Sequence, residues 1–161
     1  MHYVFTRNKH VGIRVVDGGL RIRTSVEETF FAAWVEIDVS LPDLVITELR
    51  SEILRAVNAE CQQAADLTQQ VVGMRIMEGL TRKVDEIVGG RHGCTHMANL
   101  VLESCHAAAV GFRSQKMIEA RARGMEPDQF YEEWVRLRPK ELRNSCVAFA
   151  DDSPIMKRIN Q

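Results

Sequence analysis

The sequence predicts an α+β fold: an antiparallel β-meander of three to four strands followed by packed helices, in a single domain. Three observations predict it. Apolar and polar residues alternate through the first third of the chain, the period of strands with one solvated face. From Asn58 the apolar spacing lengthens to that of a helix. Glycines and prolines then fall where helices must end or begin. At 161 residues the chain is long enough to bury a core of its own.

The first strand carries Val11, Ile13 and Val15 in alternation, and Asp17-Gly18-Gly19 supplies a turn. In the second, Leu20, Ile22, Thr24 and Val26 alternate with Arg21, Arg23, Ser25 and Glu27. The third run, Thr29 to Ser40, is apolar on both faces near Phe30-Phe31, as a central strand would be. After the Leu41-Pro42-Asp43 turn, Leu44 to about Ile53 returns as a fourth strand. A helix over Glu48 to Val57 competes with it, because Leu49, Ile53 and Val57 recur every four residues.

Asn58 is placed to cap a helix with Cys61, Ala64, Ala65, Thr68, Val71 and Val72 on one face and Gly73 at its end. A short helix follows, with Ile76, Leu80, Val84 and Ile87-Val88 inward, ending at Gly89-Gly90. The next starts near Cys94 or Thr95, sends Met97, Leu100, Val101, Cys105, Ala108 and Ala109 to the core, and can run on to Arg123 before Gly124. Pro127 opens a helix whose buried stripe is Phe130, Trp134 and Leu137, stopped by Pro139. Asn144 to Phe149 reads as a short strand and Asp151 to Pro154 as a turn.

Several function classes are disfavoured by the totals. A formal net charge of -1 leaves no electrostatic footprint for nucleic acid or anionic lipid. The basic residues between Arg113 and Arg143 are interleaved with Glu119, Glu126, Asp128, Glu132, Glu133 and Glu141, the mixture of a solvated helix face. No apolar run is long enough for a membrane helix, and the N-terminus lacks the pattern of a secretory leader, so the cytoplasm is the expected compartment. There, the four cysteines stay reduced.

Chemistry concentrates in Gly89-Gly90-Arg91-His92-Gly93-Cys94-Thr95-His96. A thiol at a helix start faces unpaired backbone N–H groups, which favour the thiolate, and Arg91, His92 and His96 add positive charge nearby. Cys94 with His96 is therefore the candidate catalytic pair. A metal, zinc or iron, is the second reading. Cys94 and His96 supply only two donors where a site takes three or four, so Cys61 and Cys146 would have to complete it. Cys105 and His106 lie roughly 16 Å further along the helix, too far to share an ion. The glycines form neither a Walker loop nor a dinucleotide fingerprint, since no Gly-Lys-Ser/Thr follows and a helix precedes them. They read as a turn between helices that needs positive φ.

The segment Gly93-Cys94-Thr95-His96, the upstream helix carrying Cys61, and Asn144-Ser145-Cys146-Val147-Ala148-Phe149 resemble a bacterial domain-of-unknown-function family. In that family, strands precede a cysteine-bearing helix, a Gly-Cys-Thr-His-Leu segment and a late cysteine. The resemblance runs from about Val11 to Pro154. It departs at Met97, where leucine is usual, and at Val57-Asn58, where proline tends to precede the cysteine. It carries no activity over and implies only that Cys61, Cys94, His96 and Cys146 are the positions of interest. The order of strands and helices is also similar to iron–sulfur scaffold and sulfur-acceptor folds, whose own motifs the chain lacks.

The function expected from these readings is a cytoplasmic accessory protein with a cysteine/histidine site, thiol or metal. The alternative is a non-catalytic binding or structural subunit, its helices and Phe30-Phe31 docking a protein partner or a second copy of the chain.

Overall fold

The computed structural model describes residues 2–77 and 79–160. The residues fall into two compact units, Met1–Phe112 and Arg113–Gln161.

The first unit opens with four antiparallel strands, β1 (Arg7–Val16), β2 (Gly19–Glu28), β3 (Ala32–Ser40) and β4 (Val45–Arg55), neighbours in space in the order β1-β2-β3-β4. The expected meander is present, with four strands. One face is apolar: Leu20, Ile22 and Val26 of β2, Val35, Ile37 and Val39 of β3, and Ile46, Leu49 and Ile53 of β4 are all buried. The other is charged. Arg21 forms a bidentate pair with Asp38, and Arg50 reaches Glu36, Asp38 and Glu48. The Arg21 hydrogen bond holds the Asp38 carboxyl below the usual carboxylate range, and Asp38 in turn raises the Arg21 guanidinium.

The competing helix over Glu48 to Val57 does not form. Leu49 and Ile53 repeat every four residues for a different reason. The β3–β4 register slips between Asp38 and Val39 and again between Ala32 and Ala33. Each slip inserts an extra residue in β4, Thr47 and Leu54. The first lets Ile46 and Leu49, three apart, both reach the core, while Leu49 and Ile53 stand in unbroken alternation on either side of Ser51, a polar residue at an inward position. Val57, beyond the strand, is exposed. Similarly, Thr29 and Phe30 fall before β3, and Phe30 is exposed while Phe31 is buried.

The single helix expected from Asn58 to Val72 is broken into a 3-10 turn at Ala59–Gln63, α1 (Ala64–Leu67) and a second 3-10 turn at Thr68–Val71. Asn58 makes no side-chain cap bond. Instead the Ala65 carbonyl accepts from the hydroxyls of Ser51 and Thr68, and the Gln69 amide donates to the Leu49 carbonyl. These bonds to β4 and within the turn compete with a regular ladder. The next helix, α2 (Leu80–Ile87), begins later than expected, because the Ile76 N–H donates to Leu44 beside β4.

Helix α3 (Thr95–Ala122) is continuous, as its longer reading allowed, and enters the second unit at its C-terminal end. Met97, Leu100, Val101, Cys105 and Ala108 are buried as expected, but Ala109 is exposed and Ala107 is buried. Two contacts fix α3 over the hairpin. Ser104 Oγ lies 2.8 Å from Thr24 Oγ1, both fully buried. Gly111 brings its backbone so close to Ile13 and Leu20 that an added Cβ would meet Ile13 at 3.0 Å. Among the described residues, no helix is long and apolar enough to cross a membrane.

In the second unit, α4 (Pro127–Leu137) starts with a reciprocal capping box between Glu126 and Gln129. Phe130 and Trp134 are buried as expected, whereas Leu137 is exposed and Val135 takes the inward place. Val135, Phe149 and Met156 form the core of this unit, the last from α6 (Pro154–Ile159), which follows α5 (Pro139–Leu142). The short strand expected at Asn144 to Phe149 is absent. Asn144 is left-handed at φ 59° and its side chain exchanges two hydrogen bonds with Asp151, closing a loop that ends in a 3-10 turn at Val147–Phe149.

Candidate functional site

The Gly89–Gly93 stretch forms a short 3-10 turn, Gly90–His92, between α2 and α3. The Cys94 N–H donates to the Val88 carbonyl at 2.8 Å, and the Cys94 carbonyl accepts from Ala98, so Cys94 is the residue that caps α3. For this to happen the chain must pass directly over the end of α2. An added Cβ on Gly93 would lie 2.0 Å from the Val88 oxygen and 2.6 Å from the Gly89 oxygen. Gly90 has φ +68°, the left-handed region the turn requires.

Cys94 is half-buried, and its Sγ lies 3.9 Å from Nδ1 of His96, which sits in the first turn of α3. The imidazole is held on its other sides. It stacks on Phe31, with centroids 4.3 Å apart and planes 22° apart. Its Nε2 is 3.5 Å from Oε2 of Glu28, at the end of β2. Glu28 is buried, with 8% of its side chain exposed, and Arg7 Nε reaches its other oxygen at 2.6 Å. The Glu28 N–H donates to the Phe31 carbonyl and the Arg55 guanidinium donates to the Glu28 carbonyl, both at 2.7 Å. Thus a thiol, an imidazole and a buried carboxylate stand in line, with the two outer groups at opposite ring nitrogens. A hollow of about 30 Å³, bordered by Lys9, Glu28, His96 and Asn99, adjoins the carboxylate end.

The pair expected from sequence, Cys94 and His96, is therefore brought together. Arg91 and His92 are exposed on the turn, and no hydrogen bond or ion pair holds either of them among the described residues. Cys61 is half-buried in the 3-10 turn after β4. Cys146 is exposed in the second unit, ahead of the Val147–Phe149 turn. Among the described residues, no three His, Cys, Asp or Glu side chains are grouped so that they could hold a metal ion. Glu28 was not anticipated, although a signal was available. It occupies the next inward position after Leu20, Ile22, Thr24 and Val26, where an apolar residue belongs.

Cys105, set aside on distance, is buried in α3, and burial pushes its thiol up to about 12. The unfolded thiol ionises near its ordinary value of 9.0. Its contribution to stability is thus complete below that value and is lost as the pH rises toward the folded one. The expected slope is about 1.4 kcal/mol per pH unit across that window. Urea titrations at successive alkaline pH values should show this slope in the wild-type chain and its absence in Cys105→Ala.

Comparison with known proteins adds one relationship. No curated protein and no solved structure matches the chain. Residues 12–110, which run from the middle of β1 to just past the middle of α3 and include Glu28, Phe31, Cys94 and His96, match a family described as "Protein of unknown function (DUF2889)". The matched segment covers more than half of the 161 residues, and the chain belongs to the DUF2889 family.

Proposed function

We propose that the chain is an accessory protein that works through a thiol, with Cys94 as nucleophile, His96 as its proton partner and Glu28 as the group that orients His96. The observation that carries this reading is the alignment of Cys94 Sγ, the two nitrogens of His96 and the buried Glu28 carboxylate. A nucleophilic cysteine needs a base beside it and a third group to fix the base. Phe31 and Glu28 restrain the ring from two directions, so Nδ1 stays turned toward the sulfur. As the Cys94 S–H bond breaks, its proton passes to Nδ1 and its electron pair stays on the sulfur, and the imidazolium charge is compensated by Glu28 through Nε2–H.

A zinc or iron centre at the same pair has less support. Cys94 and Glu28 lie at opposite ring nitrogens and so cannot share one ion, which leaves Cys94 and His96 two donors short of a closed site. Stoichiometric zinc or iron in protein purified without a histidine tag would favour the metal reading instead.

The thiol reading is tested by alkylation with iodoacetamide at neutral pH, followed by peptide mapping. Cys94 should react about tenfold faster than a free cysteine and faster than Cys61 or Cys146. His96→Phe and Glu28→Gln should each bring the Cys94 rate down toward the free value while circular dichroism stays unchanged. A Cys94 rate equal to that of free cysteine in the wild-type chain would overturn the assignment.

A further inference from the structure

The two edges of the sheet are treated differently. Along β4, the segment after α1 supplies partners: Ile46 exchanges hydrogen bonds with Gly73 and Met74, and Gln69 reaches Leu49. Along the outer side of β1, no strand or loop pairs among the described residues. Val16 and Gly19 flank the two-residue Asp17-Gly18 turn and face each other, which sets the alternation of the hairpin. Val16, Arg14, Gly12, His10 and Asn8 share backbone bonds with β2, whereas Arg7, Lys9, Val11, Ile13 and Val15 direct their N–H and C=O groups outward.

The side chains on this edge are equally unfinished. Val11, Ile13 and Val15 lie on the helix side of the sheet but remain 37%, 40% and 64% exposed. On the opposite side, Arg14 stands directly across from Arg21, a like-charge neighbour that already serves Asp38. Such a pair is unfavourable until an anion joins it. Lys9 and Arg14 have no ion pair among the described residues, and the ten residues of β1 include no acid. Charges commonly guard a free edge against pairing. Here the charges are of one sign and the apolar residues between them are only partly covered.

We propose that the outer edge of β1 accepts an added strand from a protein partner, an extended segment that alternates acidic with apolar residues. The backbone ladder supplies the binding energy and the alternation supplies specificity. The partner's apolar residues cover Val11, Ile13 and Val15, and its carboxylates meet Arg14 and His10 on the opposite side. A second copy of the chain fits less well, because pairing β1 with itself sets basic residues against basic residues. The proposal is independent of the chemistry at Cys94.

The test uses a fluorescein-labelled ten-residue peptide alternating Glu and Val, with a Lys/Val counterpart, titrated with the full chain by anisotropy. The Glu/Val peptide should bind saturably and the Lys/Val peptide should not. Val11→Pro removes an outward N–H that the sheet does not use, a change edge strands tolerate. It should weaken binding by about tenfold or more, as should the charge reversal Arg14→Glu. A Glu/Val peptide N-methylated at alternate residues gives the same readout with the wild-type chain should Val11→Pro fail to fold. Any of four results would overturn the proposal: no saturable binding, binding undiminished by N-methylation, equal binding of a peptide of Glu alone, or tighter binding of a single-stranded oligonucleotide. A dimer in light scattering that Val11→Pro dissolves would assign the edge to a second copy.

Discussion

Gly93→Ala is expected to destabilise the first unit by about 3 kcal/mol, in the upper range for overpacking. The position has an ordinary extended backbone, φ -123° and ψ -151°, so the penalty does not come from φ. It comes from space: the new methyl would sit 2.0 Å from the Val88 oxygen and 2.6 Å from the Val88 carbonyl carbon. Both are backbone atoms at the end of α2, which cannot swing aside as a side chain would. The segment must lift, and lifting breaks the Cys94 N–H bond to that same oxygen. Chemical denaturation should therefore show a large drop in midpoint, and the alkylation preference for Cys94 should fall with it. Gly124→Ala is the control. Its φ is +82° but nothing lies within 4 Å of the added methyl, so only backbone strain of about 1 kcal/mol is expected.

Phe31→Ala should cost about 4 kcal/mol, the usual range for removing a buried aromatic ring. Phe31 is 6% exposed and fills the corner between the β2–β3 turn and the start of α3. Its loss has a second consequence, because the ring is the platform on which His96 lies. With the stack gone, only the 3.5 Å approach to Glu28 restrains the imidazole. Thermal denaturation measures the first effect and the Cys94 alkylation rate measures the second. Phe31→Leu separates them: it restores most of the volume and much of the stability, yet leaves no aromatic face, so the rate should stay low.

The strands β1 and β2 were legible because their period-two pattern is unbroken on a sheet with one wet face. β4 was ambiguous because the bulge at Thr47 breaks the period between Ile46 and Leu49, and because Ser51 is polar at an inward position, so that Leu49 and Ile53, four apart, imitate a helix. The segment after Asn58 misled for the opposite reason. Its apolar spacing is helical, but Ser51, Thr68 and Gln69 divert its backbone and side chains into bonds with β4. Asn144 to Phe149 alternates like a strand while Asn144 turns the chain back on itself. At the site, Cys94 and His96 could be paired from sequence because both belong to one motif. Glu28, Phe31 and Arg7 could not, since nothing local links a hairpin end to a helix start. Glu28 differs only in being an acid at an inward position.

The separation of Glu28 and Phe31 from His96 in the chain also bears on when the site comes into being. The carboxylate and its aromatic neighbour sit on an early hairpin, while the thiol and imidazole sit at the head of α3, beyond β3, β4 and α2. Bringing such distant segments together carries a loop-closure entropy that must be met before any contact between them forms. A chain that has made its hairpins but not docked α3 has a cysteine with no oriented partner. On the proposed thiol reading, reactivity at Cys94 emerges late in folding, together with the packing of Ser104 onto Thr24, and a chain still in assembly is spared a reactive sulfur.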